Sequence, residues 1–133
     1  MGIRVEWDND DHTVLRYTVI GRWTWDELHT ALARARMLAD SAPASVIHSI
    51  IDIYTGSLFP QNALSHFRRM PFEAHPKFKN GCVIIVEDNL FVRSLMNIMR
   101  RLNPHAVRNF YNVRTMRDAY ALLERLRQAA LST

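Results

Sequence analysis

Apolar and polar residues alternate in two neighbouring segments at the start of the chain. The first covers residues 3–8, and the second runs from Thr13 to Ile20. Alternation with a period of two is typical of strands that bury one face. Between them, residues 8–11 are three aspartates and an asparagine, which is the composition of a turn. The chain is therefore predicted to open with a β-hairpin that Gly21 ends.

Helical spacing of apolar residues appears next. It predicts a helix that begins at Thr24, where Glu27 completes a capping box, and that stops before Pro43. A second helix is predicted over about residues 61–75, and Pro71 should break or kink it. Two further helices are predicted, one capped by Asp88 or Asn89 and ended by Asn103-Pro104, the other opening at Thr115.

Strand-like runs separate these helices. Residues 46–53 and 82–86 are almost continuously apolar, which is typical of strands buried on both faces. Residues 107–113 are more polar, which predicts a strand near an edge. The order ββαβαβαβα predicts an α/β protein with a single mixed, mostly parallel five-stranded sheet covered by about four helices. We expect one domain over residues 1–128 and a frayed tail over 129–133.

Composition limits the class of protein. The 133 residues suffice for one domain with its own core, and 48% of them are hydrophobic. No apolar run approaches the ~20 residues that cross a bilayer, and no signal peptide is apparent, so a cytoplasmic protein is expected. Residues 89–133 carry eight arginines against two acids. Nucleic acid is nevertheless not an expected partner, because neither interleaved aromatic residues nor a helix-turn-helix accompanies this charge.

The chain contains reactive residues that could in principle form a metal site or a catalytic site. The six histidines lack the spacing of zinc ligands, and the lone Cys82 begins a buried strand, which indicates an inert core thiol. The run Ile84–Asn89 resembles the first strand of a response-regulator receiver. Too few residues follow it to complete such a domain, so a strand end and helix cap are the favoured interpretation. The sequence predicts no catalytic residue, no metal site and no cofactor.

Four local patterns, together with the order of the elements, carry a resemblance to a known family. They are Gly21-Arg22-Trp23-Thr24, Ile51-Asp52-Ile53, Asn89 before a helix, and Arg114-Thr115-Met116-Arg117-Asp118-Ala119. Over nearly its whole length the chain resembles the STAS-like, SpoIIAA-like family of anti-sigma factor antagonist-type domains. The resemblance implies a role by binding. Many members are regulators in which phosphorylation of a Ser or Thr after the central strand blocks docking to a kinase; others bind small ligands or lipids.

This chain departs from the family pattern at that loop. If Asp52 is the strand-ending Asp of the family, residues 60–63, Pro-Gln-Asn-Ala, stand where the phosphorylatable Ser motif would lie. The usual Ser is therefore missing. Thr55, Ser57 and Ser65 lie nearby, but none of them matches by register.

The leading hypothesis is a non-enzymatic STAS-like signalling or protein-interaction module that acts through the loop after the central strand. In this hypothesis Asp52 orients the loop, Tyr54 and Thr55 make polar contacts, and Phe59 anchors a protein partner such as a kinase or another regulator. The residues predicted to bind a partner or ligand are Asp52, Tyr54, Thr55, Ser57, Phe59, Gln61, Asn62, Asn89 and Arg93.

The alternative hypothesis is a small-molecule or lipid-binding domain of the same fold, which would take a small apolar or anionic ligand. Trp7, Trp23 and Trp25 could line its pocket, and the segments 58–60 and 70–72 could form a lid. Arg93, close to a helix N-terminus, could receive an anion beside Asp52. Ordinary core packing also accounts for these aromatic residues. A homodimer is a further possibility, because a small sheet often leaves an apolar helix face or an edge strand uncovered.

Overall fold

A single mixed sheet forms the centre of the protein. The computed structural model describes residues 2–70 and 75–131. The sheet has the order β1-β2-β3-β4-β5; β1 is antiparallel to β2, and all other neighbours are parallel. The prediction of one mostly parallel five-stranded sheet is therefore confirmed. Its strands are β1 (Ile3–Trp7), β2 (Val14–Val19), β3 (His48–Ile53), β4 (Val83–Val86) and β5 (Phe110–Val113).

Five helices cover this sheet, in the described part of the chain. They are α1 (Trp25–Ser41), α2 (Ala63–Arg69), α3 (Pro76–Lys79), α4 (Leu90–Leu102) and α5 (Met116–Leu131). Within the helix predicted over residues 61–75 the structure has the shorter α2, and the single-turn α3 begins just after that segment; the predicted break at Pro71 lies outside the described residues. Helix α5 includes residues 129–131, where the sequence predicts a frayed tail; residues 132 and 133 are outside the described part. No described helix has both the length and the apolar character needed to cross a membrane.

The predicted helix caps form, with one difference in detail. Thr24 Oγ accepts from the N–H of Glu27 at 3.2 Å, but the Glu27 carboxylate accepts from the backbone N–H of Gly2 at 2.6 Å. The side chains of Asn89 and Thr115 accept from N–H groups in the first turns of α4 and α5, at 2.8 and 3.1 Å. Glu27 therefore joins the start of α1 to the start of β1, instead of completing the box.

Two strands are shorter than the sequence predicts. Val46 and Ile47 precede β3, because the Ile47 N–H donates to the carbonyl of Lys77 in α3 and not to a neighbouring strand. Val107 lies in a turn before β5, where its carbonyl accepts from the Phe110 N–H at 3.1 Å. Ile47 and Val107 are nevertheless buried, so each apolar run reaches into the core before its strand begins.

The two faces of the sheet are covered unequally. Strands β2 to β5 lie side by side in chain order, and right-handed crossovers between such neighbours place α1, α2 and α4 on one face. Helix α5 follows the last strand and packs on the other face, where its Ala119 and Leu123 belong to the same buried cluster as Ile50 of β3 and Ile84 of β4. Because side chains alternate along a strand, Ser49, Ile51 and Ile53 face the three-helix layer and Asp52 faces the side of α5.

On each edge strand, one backbone carbonyl accepts a hydrogen bond from an arginine side chain. On β1, the Val5 carbonyl accepts from Arg34 Nε of α1 at 3.1 Å. On β5, the Phe110 carbonyl accepts from Arg100 Nη2 of α4 at 3.4 Å, and the same nitrogen donates to Asn112 Oδ1 at 2.8 Å. Guanidinium groups at these positions cover polar backbone that an edge strand would otherwise leave open to another strand.

Gly81 is the position in the fold at which a side chain is least tolerable. A Cβ there would overlap with the backbone carbonyl of Ile47. We expect Gly81→Ala to lower the free energy of unfolding by about 2 kcal/mol or more, since neither backbone can move without disturbing a strand. Urea unfolding measures the loss. Gly21→Ala is the comparison, because its Cβ meets nothing within 4 Å, although its φ of +66° makes the change strained. Equal losses in the two variants would contradict the expectation.

Candidate functional site

The loop after β3 is fastened to β2 by a buried serine. Ser57 is 5% exposed, and its hydroxyl lies 2.7 Å from the carbonyl of Tyr54 and 3.0 Å from that of Val19. The N–H of Tyr54 also donates to Val19 at 2.9 Å. Gly56, with a φ of +85°, allows the tight turn between them. The Ser57 hydroxyl therefore lies inside the loop, where it holds the turn together.

Other residues predicted for this loop lie at its surface. Thr55 and Gln61 are exposed, as is Asn62, whose left-handed backbone starts α2 without a side-chain cap. Phe59 is half-buried, with ring centroids 5.1 Å from Trp23 and 5.3 Å from Phe91. The loop and the start of α4 leave four large apolar side chains exposed, which we call the loop-end patch: Tyr54, Leu58, Leu90 and Phe91.

Asp52 lies apart from this loop surface. Its register partners are Thr18 on β2 and Val86 on β4, and its side chain is on the face that α5 covers in part. Partial burial raises the pKa of its carboxyl group, and the charge of Arg16 opposes that shift. The structure therefore places Asp52 beside Thr18 and Arg16, across the sheet from α4.

Asn89 and Arg93 are joined to a buried acid that the sequence analysis did not single out. Glu87 is 3% exposed, and its carboxylate accepts from the Asn89 N–H at 2.6 Å. Arg93 Nε lies 3.6 Å from the same carboxylate, and its Nη2 lies 3.9 Å from Asp88. Arg93 is therefore paired with Glu87, and the structure does not bring it together with Asp52.

A cavity of about 440 Å³ lies between the sheet and the three-helix layer. Protein cores normally contain few voids larger than a water molecule, whereas pockets for small ligands occupy roughly 300–1,000 Å³. The space therefore has the size of a ligand pocket. Its wall is mainly apolar and aromatic, with contributions from every element of the layer, among them Trp23, Leu32, Ile51, Phe59, Phe67, Ile85 and Met96.

Polar groups enter this wall from the sheet and from its rim. Tyr17 and Ser49 are each more than nine-tenths buried, and both line the cavity from neighbouring strands. Arg36 of α1 and Lys79 of α3 line it as well, and both are exposed. Burial raises the pKa of Tyr17 to about 12, while the charge of Arg36 acts against the shift. The phenol is therefore neutral near physiological pH and keeps its proton for donation.

Aromatic and histidine side chains join α1 to α2 beside the cavity. Trp25 stacks on His66 with ring centroids 3.9 Å apart, and its Nε1 donates to the Gln61 carbonyl at 3.3 Å. His29, which lines the cavity, has its Nε2 at 3.2 Å from His66 Nε2. Trp23 is fully buried next to them, and its Nε1 has no acceptor among the described residues. Of the three tryptophans predicted to line a pocket, only Trp23 is in the cavity wall; Trp25 lies at its margin, and Trp7 stacks on His12 elsewhere.

The polar groups of the cavity are not among the binding residues predicted from the sequence. Tyr17, Ser49, Arg36 and Lys79 come from four different elements and belong to no motif. One signal was present: Ser49 interrupts an otherwise apolar strand run, on the side where its neighbours Ile51 and Ile53 face the helices. A buried hydroxyl group needs a hydrogen-bond partner. A serine in such an apolar run therefore indicates that a polar group, and not only apolar side chains, lies against the strand at that position.

Cys82 and His48 meet on the other side of the sheet. His48 Nδ1 accepts from the Cys82 N–H at 3.0 Å and lies 3.3 Å from the sulfur. Burial raises the pKa of Cys82 to about 11, and burial, followed by the charge of Arg127, lowers the pKa of His48. The pair is therefore a neutral thiol beside a neutral imidazole. Over residues 2–70 and 75–131, no three His, Cys, Asp or Glu side chains gather where a metal ion could be held.

None of the protein families, curated proteins or solved structures with which the chain was compared matches it. The STAS-like resemblance therefore stays a prediction from the sequence patterns. What the site can do has to be argued from its own geometry.

We predict a pH dependence of stability that originates at His48. Because the pKa of His48 is lowered in the folded protein, the unfolded chain binds the proton more tightly. The neutral imidazole therefore stabilises the fold fully above pH 6.5, and the free energy of unfolding decreases as the pH falls below that value. His48→Asn keeps an acceptor for the Cys82 N–H but does not titrate. Urea unfolding at several pH values should therefore give a flatter stability curve for this variant below pH 6.5, by up to about 1.4 kcal/mol per pH unit.

The control for that measurement is His105→Asn, which removes an exposed histidine from the loop before β5. Its curve should follow that of the unmodified protein. Parallel curves for His48→Asn and the unmodified protein would show that His48 is not the origin of the dependence.

Proposed function

We propose that this protein is a non-enzymatic binding domain whose interior cavity holds a small, mainly apolar molecule. The single observation that supports the proposal is the space of about 440 Å³ between the sheet and helices α1, α2 and α4. Ligand pockets are mostly apolar, with a few polar groups that fix orientation, and this wall has that composition.

The energetic cost of leaving such a space empty also favours an occupant. Cavities left by core substitutions destabilise proteins by about 24 cal/mol per Å³. A sealed, dry void of about 440 Å³ would then cost on the order of 10 kcal/mol, and this is an upper bound here because the space opens to solvent at Arg36 and Lys79. Water gains little in a space with such walls, because it needs several polar partners. A ligand that buries apolar surface here replaces the missing contacts at about 25 cal/mol per Å².

Ile51 and Ile50 provide a matched pair of variants for this proposal. Ile51 points into the cavity, and Ile50, on the same strand, is fully buried against α5. We expect Ile51→Phe to occupy part of the space with a loss of stability below about 1 kcal/mol, while Ile50→Phe overpacks the core and costs about 1–3 kcal/mol. Binding of the neutral fluorophore N-phenyl-1-naphthylamine, followed by its emission, should fall about tenfold or more in Ile51→Phe.

Ile98→Phe, on the exposed side of α4, is the control for binding and should leave the fluorophore titration unchanged. Native mass spectrometry of freshly purified protein adds an independent measurement, since a co-purifying molecule would be released when the protein is denatured. No fluorophore binding by the unmodified protein, together with equal destabilisation by the two strand variants, would contradict a ligand cavity.

A second candidate function is the STAS-like signalling or protein-interaction module, and the loop-end patch favours it. Leu90 is 73% exposed and Phe91 50% exposed, and Phe91 contacts Phe59, the chain neighbour of Leu58, which is 52% exposed. Exposed apolar groups clustered beside polar residues mark interaction surfaces. In this proposal Phe59 supports the patch from below through its contact with Phe91, and Thr55, Gln61 and Asn62 form a polar rim. A cytoplasmic location and self-association through the patch belong to the same proposal.

The double variant Leu58→Ser/Phe91→Ser tests the loop-end patch. Pull-downs from an extract of the source organism should recover a partner with the unmodified protein and not with this variant, while fluorophore binding persists in both. Leu102→Ser, equally exposed at the far end of α4, is the control. Light scattering of the same proteins measures self-association. If the double variant retains every partner and the same oligomeric state, the patch has no role in binding.

A further inference from the structure

We infer that the cavity takes an amphiphilic anion, an aliphatic chain with one terminal carboxylate, whose charged group lies at Arg36 and Lys79. This inference rests on the proposed ligand-binding function and names the class of ligand. Its basis is the uneven distribution of charge and aromatic surface along the cavity.

The positive charge lies at the amino-terminal edge of the parallel strands. Helix α1 leads from the end of β2 back to the start of β3, so Arg36, near its last turn, is at the edge where β3 begins. Lys79 is the last residue of α3, shortly before β4 begins, and so lies at the same edge. Both side chains line the cavity and are exposed, which places them at its mouth. None of the described residues that line the cavity is acidic.

Two other polar residues at this edge are already bonded to the protein. Arg108 donates from Nη1 to the carbonyl of His105 at 2.8 Å, and Asn109 donates from Nδ2 to the carbonyl of Gly81. Arg108 keeps its positive charge in this bond, because a carbonyl is neutral, but its Nη1 is directed to His105; Arg36 and Lys79 supply the donors for a ligand. An anion held by these groups would form charge-assisted hydrogen bonds, which are stronger than those between neutral groups.

Two hydroxyl groups extend this polar region inward. Ser49 is near the start of β3, and Tyr17 is its diagonal neighbour on β2, since Tyr17 pairs with Ile51 and Leu15 pairs with Ser49. Both line the cavity, and the neutral phenol of Tyr17 is close enough to Arg36 to be affected by its charge. A carboxylate at the mouth could accept from the phenol as well as from the two cations.

The opposite end of the cavity is mainly apolar and aromatic, with His29 as a polar residue in its wall. Trp23, Phe59 and Phe67 lie near the carboxyl ends of the strands, with the Trp23 and Phe59 ring centroids 5.1 Å apart. The six residues of β3 separate the two ends by roughly 20 Å of strand. A volume of about 440 Å³ is at the low end of the range for ligand pockets, which favours one chain over a two-chain lipid.

Displacement of bound N-phenyl-1-naphthylamine tests the inference, with dodecanoate and dodecanol compared below their aggregation limits at slightly alkaline pH. The two compounds share a chain length and differ in charge. We expect dodecanoate to displace the fluorophore at about tenfold lower concentration. In Arg36→Gln/Lys79→Gln this preference should fall to less than about threefold, with dodecanol unchanged. Arg101→Gln, an exposed arginine of α4 outside the cavity wall, should keep the preference.

Different outcomes test the anionic class of ligand and the existence of a ligand cavity. Equal displacement by dodecanoate and dodecanol in the unmodified protein would overturn the anionic class of ligand and leave the ligand cavity standing. Absence of fluorophore binding would overturn both. If circular dichroism shows that the double variant does not fold, Arg36→Gln and Lys79→Gln are tested singly, and high salt is added to the unmodified protein. If neither the single variants nor high salt reduces the preference for dodecanoate, the carboxylate of the ligand does not lie at Arg36 and Lys79.

Discussion

The order of the strands is the constraint on which the rest of the structure depends. Because β2 to β5 lie side by side in chain order, every right-handed crossover falls on one face, and three connections must cover that face. Helix α1 has 17 residues and α4 has 13, but α2, between them, has only seven. Seven helical residues extend about 10 Å, which is half the length of β3. Among the residues that the structure describes, α2 covers the middle of the sheet over part of its length only, and the cavity lies in the space beside it.

The two ends of the connection between β3 and β4 are attached to α1 by different chemistry. At the amino-terminal edge of the strands, Lys77 Nζ donates to the carbonyls of Ala39 and Ala42, at 2.7 and 2.6 Å, where α1 ends. A cation there also interacts favourably with the helix dipole. At the carboxyl edge, Trp25 and His66 stack face to face. These attachments join α1 to α3 at one end of the layer and to α2 at the other, through contacts within the protein itself.

Local patterns predicted most of the fold, whereas long-range packing determined the site. The hairpin, the buried strands and the caps at Thr24, Asn89 and Thr115 are encoded by neighbouring residues, and each lies within two residues of where the sequence places it. The helix predicted over residues 61–75 is too long, because α2 ends at Arg69 and α3 begins only at Pro76, after that segment. Ser57 and Arg93 are close in space to the predicted loop surface, but Ser57 faces inward and Arg93 pairs with Glu87. The groups around the cavity come together only after folding, so no sequence window contains them.

The arginines at the two outer strands have a consequence for assembly. An open sheet can in principle grow by adding the strand of another copy at either margin, as fibrils and some dimers do. Here the Val5 and Phe110 carbonyls already have guanidinium donors, Arg34 and Arg100, and both donors belong to helices that also wall the cavity layer. Continuous growth from copy to copy would have to break one such bond at each junction. The same helices that enclose the interior thus also protect the protein against polymerisation through its backbone.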